Sequence, residues 1–221
     1  DIRLAVLIDA DNVPYSNVKG MMEEITKYGS PTFKRIYGDW TRPTVSGWKG
    51  VLLENAITPI QQYSYTSGKN SSDSALIIDA MDILYSGKVD GFCIVSSDSD
   101  FTRLAIRLRE ASMKVIGIGQ KKTPNPFIIA CDKFIYLEVI AAEDAEDIET
   151  PEKETPNKKA PAKQSFDKIN RKTIHLIAST VDDIADENGW AFLGDVGNLL
   201  MKKQPNFDPR NFGFQKLTAL I

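Results

Sequence analysis

Residues 3–12 read RLAVLIDADN, an unbroken apolar run from Leu4 to Ile8 that stops at a carboxylate, Asp9. A short run with no alternating polar residue is the mark of a strand buried on both faces. Such a strand needs helices on both sides of its sheet, so this stretch sets the fold class. Working outward, Pro14 is tolerated at the start of a helix, and Val18, Met21, Met22 and Ile25 then recur at helical spacing up to Gly29. The opening pattern returns at residues 91–101, GFCIVSSDSDF: an apolar strand run, then acidic residues. Further strands are predicted at Phe33–Tyr37, Ile57–Gln61, Val115–Ile118 and Phe134–Leu137. Helices are predicted at Trp48–Asn55, Ser71–Tyr85 (closed by Gly87) and Phe101–Ser112, with a helical turn at Phe127–Cys131. Strands alternating with helices predict an α/β fold around a mainly parallel sheet.

The chain has 221 residues, 42% hydrophobic and 26% charged, proportions that exclude a disordered, collagen-like or coiled-coil protein. It lacks the ~18 consecutive apolar residues a membrane span needs, and Leu4–Ile8 is too short and too close to Asp9 and Asp11 for a signal peptide. Two cysteines in apolar settings, Cys93 and Cys131, fit a reduced cytoplasmic protein better than a disulfide scaffold. The first residue is Asp1 rather than Met, so an initiator is expected to have been removed or the chain trimmed. Residues 1–140 carry 16 acidic and 16 basic groups and residues 166–221 carry 7 of each, so the net charge of −3 comes from residues 141–165, with 7 acidic and 4 basic. Composition therefore excludes a strongly basic nucleic-acid binder; contact with nucleic acid must run through local patches or metal ions.

Residues 141–165 contain three prolines and many charges but almost no large apolar residue, which predicts a linker between residues 1–140 and 166–221. Beyond it, Ile169, Thr173, Leu176, Ile177, Val181 and Ile184 mark an amphipathic helix ending near Asn188-Gly189. A second helix is predicted around Val196–Met201 and a last helical start at Lys216–Ile221. This small second domain stops on an apolar element, so truncation at its C-terminus is expected.

In a parallel α/β sheet, functional groups gather outside the carboxyl ends of the strands. Asp9 follows the first strand, Asp98 and Asp100 follow the Phe92–Val95 strand, and Asp73 opens the strongest helix. On that helix Asp73 shares a stripe with Ile77, Ala80 and Leu84, which places it at the sheet rim; Asp79 and Asp82 fall roughly 240° and 180° round, towards water. Each aspartate alone reads as a helix cap or turn former. Together they read as a site, because carboxylates a few Å apart must be protonated or share a cation. Oxygen ligands without Cys or His favour Mg²⁺ or Mn²⁺ over Zn²⁺.

The run Ala5–Asn12 (AVLIDADN), Lys69–Asp73 (KNSSD) followed by Ala75–Ala80 (ALIIDA), and Val95–Phe101 (VSSDSDF) resemble the NYN domain, a PIN-like nuclease family, in its bacterial LabA-like branch, over roughly residues 2–140. The resemblance implies a three-layer sandwich with a mainly parallel sheet and a Mg²⁺- or Mn²⁺-dependent endoribonuclease centre. By motif position, Asp9, Asp73, Asp98 and Asp100 would be the catalytic and metal-site carboxylates, Asp100 through a held water, with Asn12 in support. Asp79 matches a recurrent acidic position of the helix motif, whereas the helical wheel sets it outside the centre. Ser71-Ser72 stand where many relatives carry Gly and an apolar residue. Residues 166–221 resemble a LOTUS (OST-HTH) domain through GWAFL (189–193), VGNLL (196–200), FDPRNFGF (207–214) and Leu217. That family implies a small winged-helix-like α(+β) module binding RNA or, in some members, a protein; the two domains recur together.

RNA is thus the expected partner. Trp40, Arg42, Tyr65, Lys69 and Ser97 are the residues expected along its path, since aromatic stacking with cations on phosphate holds single strands. Alternatively Trp40 and Tyr63 simply cover the sheet edge. The helix arginines Arg103, Arg107 and Arg109 and the linker lysines read as solvated, and His175, the only histidine, is remote from the carboxylates. Two other functions fit parts of the pattern. Asp9–Val13 satisfies the DxDx[TV] motif of HAD phosphatases, but Pro14 leaves no room for their flap and no lysine is obviously placed as their phosphate-binding base. A non-catalytic RNA-binding protein with an idle acidic pocket is the other. The sequence is compatible with a homodimer and does not name the RNA.

Overall fold

In the computed structural model, residues 1–41, 47–63, 71–146 and 166–221 are described. The RLAVLID run forms β1 (Arg3–Asp9), six of whose seven residues are buried. Successive side chains of a strand point to opposite faces. Ala5 and Leu7 accordingly enter one core layer, and Leu4, Val6 and Ile8 the other. The strands β2 (Ser30–Gly38), β3 (Thr58–Gln61), β4 (Gly91–Val95), β5 (Lys114–Gly119) and β6 (Lys133–Tyr136) complete a six-stranded sheet in the order β3-β2-β1-β4-β5-β6. Every neighbouring pair is parallel.

On one face lie α1 (Val18–Thr26), α2 (Trp48–Glu54) and α6 (Leu137–Glu146), burying Met21, Ile25, Trp48, Leu52 and Ile140 against Cys93, Val95, Ile116 and Ile118. On the other lie α3 (Ser71–Ser86), α4 (Thr102–Glu110) and α5 (Asn125–Ala130), burying Leu76, Ala80, Ile83, Leu104, Leu108 and Phe127 against Phe92, Ile94 and Phe134. This is the three-layer α/β sandwich expected. Where β5 leaves the sheet, a Cβ on Gly119 would sit 2.6 Å from the backbone oxygen of Ser96, so only glycine lets the two strand ends approach this closely.

The chain divides into two compact units, Asp1–Ile140 and Ala141–Ile221. Helix α6 crosses the expected start of the linker and continues through residues 141–146. Val139 and Ile140 anchor that helix in the core, and alanine and glutamate, strong helix formers, recur in the residues after them. The rest of the predicted linker, residues 147–165, lies outside the described residues. In the second unit, α7 (Arg171–Ile184) is capped by Asn170, whose Oδ1 accepts from the Lys172 and Thr173 amides at 2.9 and 3.0 Å. It packs with α8 (Leu193–Lys203) and α9 (Leu217–Leu220) around Val196, Leu200 and Phe207. Among the described residues this unit is helical, with no strand.

Candidate functional site

The strand order reverses direction at β1. β2 and β3 lie on one side of it, and the chain then crosses to β4 on the other. Such a reversal leaves a crevice outside the carboxyl ends of the two strands that flank it. Asp9 ends β1, and Ser96-Ser97-Asp98 leave β4 directly beside it.

Asp73, in the first turn of α3, is 8% exposed and faces the crevice. The stripe it shares is Leu76, Ala80 and Ile83, with Ile77 and Leu84 only half-buried, so the helix is rotated slightly from the predicted wheel. Asp98 precedes a short helical turn, Ser99–Phe101, and its Oδ1 accepts the Asp100 amide at 2.9 Å. The capping role and the site role therefore coexist in one residue. Asp73, Asp98 and Asp100 each bring a carboxylate oxygen within 4.8 Å of the other two.

Asp9 stands apart from that triplet. It is 1% exposed, and its oxygens accept from the Asn12 side chain, from Ser96 Oγ at 2.9 Å and from the Asp11 amide at 3.1 Å. Ser96 Oγ also accepts the Asp98 amide at 3.1 Å, so one buried hydroxyl ties the end of β1 to the loop after β4. A serine after a strand carries no distinguishing pattern, so the sequence does not single out Ser96. Its place beside Asp9 depends on the β1–β4 register, in which Ile8 pairs with Val95.

Burial pushes the Asp9 carboxyl up, against the pull of its hydrogen bonds to Asn12, Ser96 and the Asp11 amide. Asp73 is pushed up to about 6, by burial first and then by the charges of Asp9, Asp98, Asp100 and Asp11. Asp9 is thus felt electrostatically at the triplet although its oxygens are engaged elsewhere. An all-oxygen, mutually repelling donor set fits a hard divalent cation.

Asp79 does not face water. Its carboxylate accepts from the Arg35 guanidinium and from the Tyr37 hydroxyl, both on β2, while Asp82 is exposed. The expectation that Asp79 points to water fails because strand β2 runs alongside that flank of the helix and supplies both donors.

Among residues expected on an RNA path, Trp40 is half-buried, its indole N–H donating to the Ile60 carbonyl at 2.9 Å and its ring edge-on to Trp48 at 6.4 Å. Ser97 is buried, with its Oγ accepting the Gln120 amide at 2.9 Å. Arg42, Tyr65 and Lys69 lie outside the described residues. Tyr63 and His175 are exposed. Cys93 and Cys131 are buried free thiols, and burial holds both well above the ordinary thiol range.

Residues 3–138 match the NYN domain family. The chain belongs to that family. Residues 164–221 match the OST-HTH/LOTUS domain, which follows the NYN domain in the same chain. The fold is similar to the crystal structure of a protein of unknown function from Vibrio parahaemolyticus, at 20% sequence identity and a TM-score of 0.52, covering 61% of this chain and 92% of that one. No curated protein matches the chain. NYN domains belong to a nuclease superfamily that generally uses divalent metals, and the acidic triplet of this NYN domain lies at the sheet's switch point. An NYN domain joined to an OST-HTH/LOTUS domain supports an RNA-related nuclease function. Among the described residues no helix is long and apolar enough to cross a membrane.

Proposed function

We propose that the NYN domain, residues 1–140, is a Mg²⁺- or Mn²⁺-dependent endoribonuclease, and that the OST-HTH/LOTUS domain, residues 166–221, binds its RNA. The convergence of Asp73, Asp98 and Asp100 over the β1/β4 switch point carries this reading. Bound there, a divalent cation would supply a Lewis acid for activating water and offsetting charge on the phosphodiester. Asp73, Asp98 and Asp100 would hold the cation. Asp9, screened from water, orients Asn12 and Ser96 around the site and adds negative potential that favours the cation. Asp98 in turn fixes the backbone of Asp100 through its amide. The product carries a 5′-phosphate on one fragment, and the chain acts in the cytoplasm.

The test is cleavage of a 5′-labelled single-stranded RNA by the wild type and Asp98→Asn with Mn²⁺, Mg²⁺ or EDTA, alongside p-nitrophenyl phosphate. Metal-dependent cutting that disappears in the variant supports the nuclease. Ester turnover without RNA cutting would instead favour the phosphatase reading. RNA binding with neither activity would leave a binding protein with an idle pocket.

A further inference from the structure

Helix α3 carries Asp73 but is held to the sheet largely by Leu76, Ala80 and Ile83. Apolar contacts are non-directional, so a hydrogen-bonded contact adds an orientational constraint that they do not supply. One directional contact of α3 to the sheet exists six residues along, about 9 Å up the helix axis. There Asp79 accepts from both Tyr37 and Arg35.

Both donors are themselves located. Phe33, Arg35 and Tyr37 alternate along β2 and so share its α3 face. The Arg35 guanidinium lies 5.4 Å over the Phe33 ring, and Tyr37 is fully buried. Burial raises the Tyr37 phenol far above its ordinary value, so it stays a donor at every working pH. Tyr37 also pairs with Asp9 across β1–β2, and its carbonyl accepts the Ala10 amide at 3.0 Å. The Tyr37–Asp79 contact thus joins the strand end that bears Asp9 to the helix that bears Asp73.

We infer that Asp79, together with Tyr37 and Arg35, is a positioning group that sets Asp73 against Asp98 and Asp100. The inference rests on the metal-dependent reading above. Removing a partner that orients a metal ligand costs about 10–100-fold in metal affinity, and a strut six residues away belongs at the lower end.

The experiment measures Mn²⁺ binding to the full chain, from the loss of the free-ion electron paramagnetic resonance signal, for wild type, Tyr37→Phe, Asp79→Asn and Asp98→Asn. Melting temperatures and RNA cleavage are followed in parallel. Tyr37→Phe and Asp79→Asn should each raise the Mn²⁺ dissociation constant about tenfold, with cleavage recovering at saturating Mn²⁺. A purely structural role would lower the melting temperature and leave the dissociation constant of the folded protein unmoved, and that result overturns the inference. If Asp79→Asn does not fold, Tyr37→Phe, which keeps the ring packing, decides. Mn²⁺ binding lost in Asp98→Asn but unchanged in Tyr37→Phe defeats the inference alone, whereas a wild type that binds no Mn²⁺ defeats the metal reading and the inference with it.

Discussion

Replacing Asp73 with asparagine should stabilise the metal-free protein while disabling it. The Asp73 carboxyl is raised from 3.8 to about 6, by burial and by the neighbouring carboxylates. At about 1.4 kcal/mol per pKa unit that corresponds to roughly 3 kcal/mol of repulsion and desolvation borne by the folded state at neutral pH. Two effects reduce it. Asp98 and Asp100 reach water, which screens their repulsion, and an acidic residue in the first turn of α3 gains up to about 1 kcal/mol from the helix dipole. A net gain of about 1–2 kcal/mol remains for Asp73→Asn, equivalent to a rise of a few degrees in melting temperature for a protein of this size. The sign follows from the raised pKa. The penalty is absent below the unfolded value near 3.8, grows as pH rises, and is complete above about 6. Scanning calorimetry in EDTA from pH 4 to pH 8 should therefore show the variant and wild type together at the acid end and separated at the alkaline end. Mn²⁺ should reverse the order, because only the intact carboxylates gain binding energy from the ion. A variant that melts lower than wild type at every pH would show that the folded state gains from the Asp73 charge, and the electrostatic reasoning would fall.

Ser96→Ala removes a hydrogen bond that holds the Asp9 carboxyl down, so the acid limb of the cleavage pH profile should move to higher pH; an unchanged limb would separate Asp9 from the chemistry. Gly119→Ala places a Cβ 2.6 Å from the Ser96 carbonyl oxygen and should destabilise by about 1–3 kcal/mol, as read by urea unfolding, with weakened Mn²⁺ binding because Ser96 must shift. Leu200 is fully buried in the small second core, so Leu200→Ala should cost that domain about 2–5 kcal/mol and lower the temperature at which its helical circular dichroism is lost.

Much of this protein can be read from its sequence because both signals are local. A strand buried on both faces must be apolar throughout, so RLAVLI and GFCIV announce a covered parallel sheet. Aspartates directly after such strands fall at the carboxyl rim whatever the strand order, which is why Asp9, Asp98 and Asp100 stand out. Helix α6 was less legible because Ala and Glu favour a helix without the apolar stripe that reveals one. Strand order, register and the exact rotation of a helix belong to tertiary structure, since they depend on packing between residues far apart in the chain. Only the β1–β4 pairing sets Ser96 against Asp9 and turns that aspartate from the acidic triplet onto its own hydrogen bonds. Only the approach of β2 to α3 converts Asp79 from an apparent surface residue into a half-buried anchor held by Arg35 and Tyr37. The sequence supplies the carboxylates; which of them come together follows from the long-range packing of strands and helix.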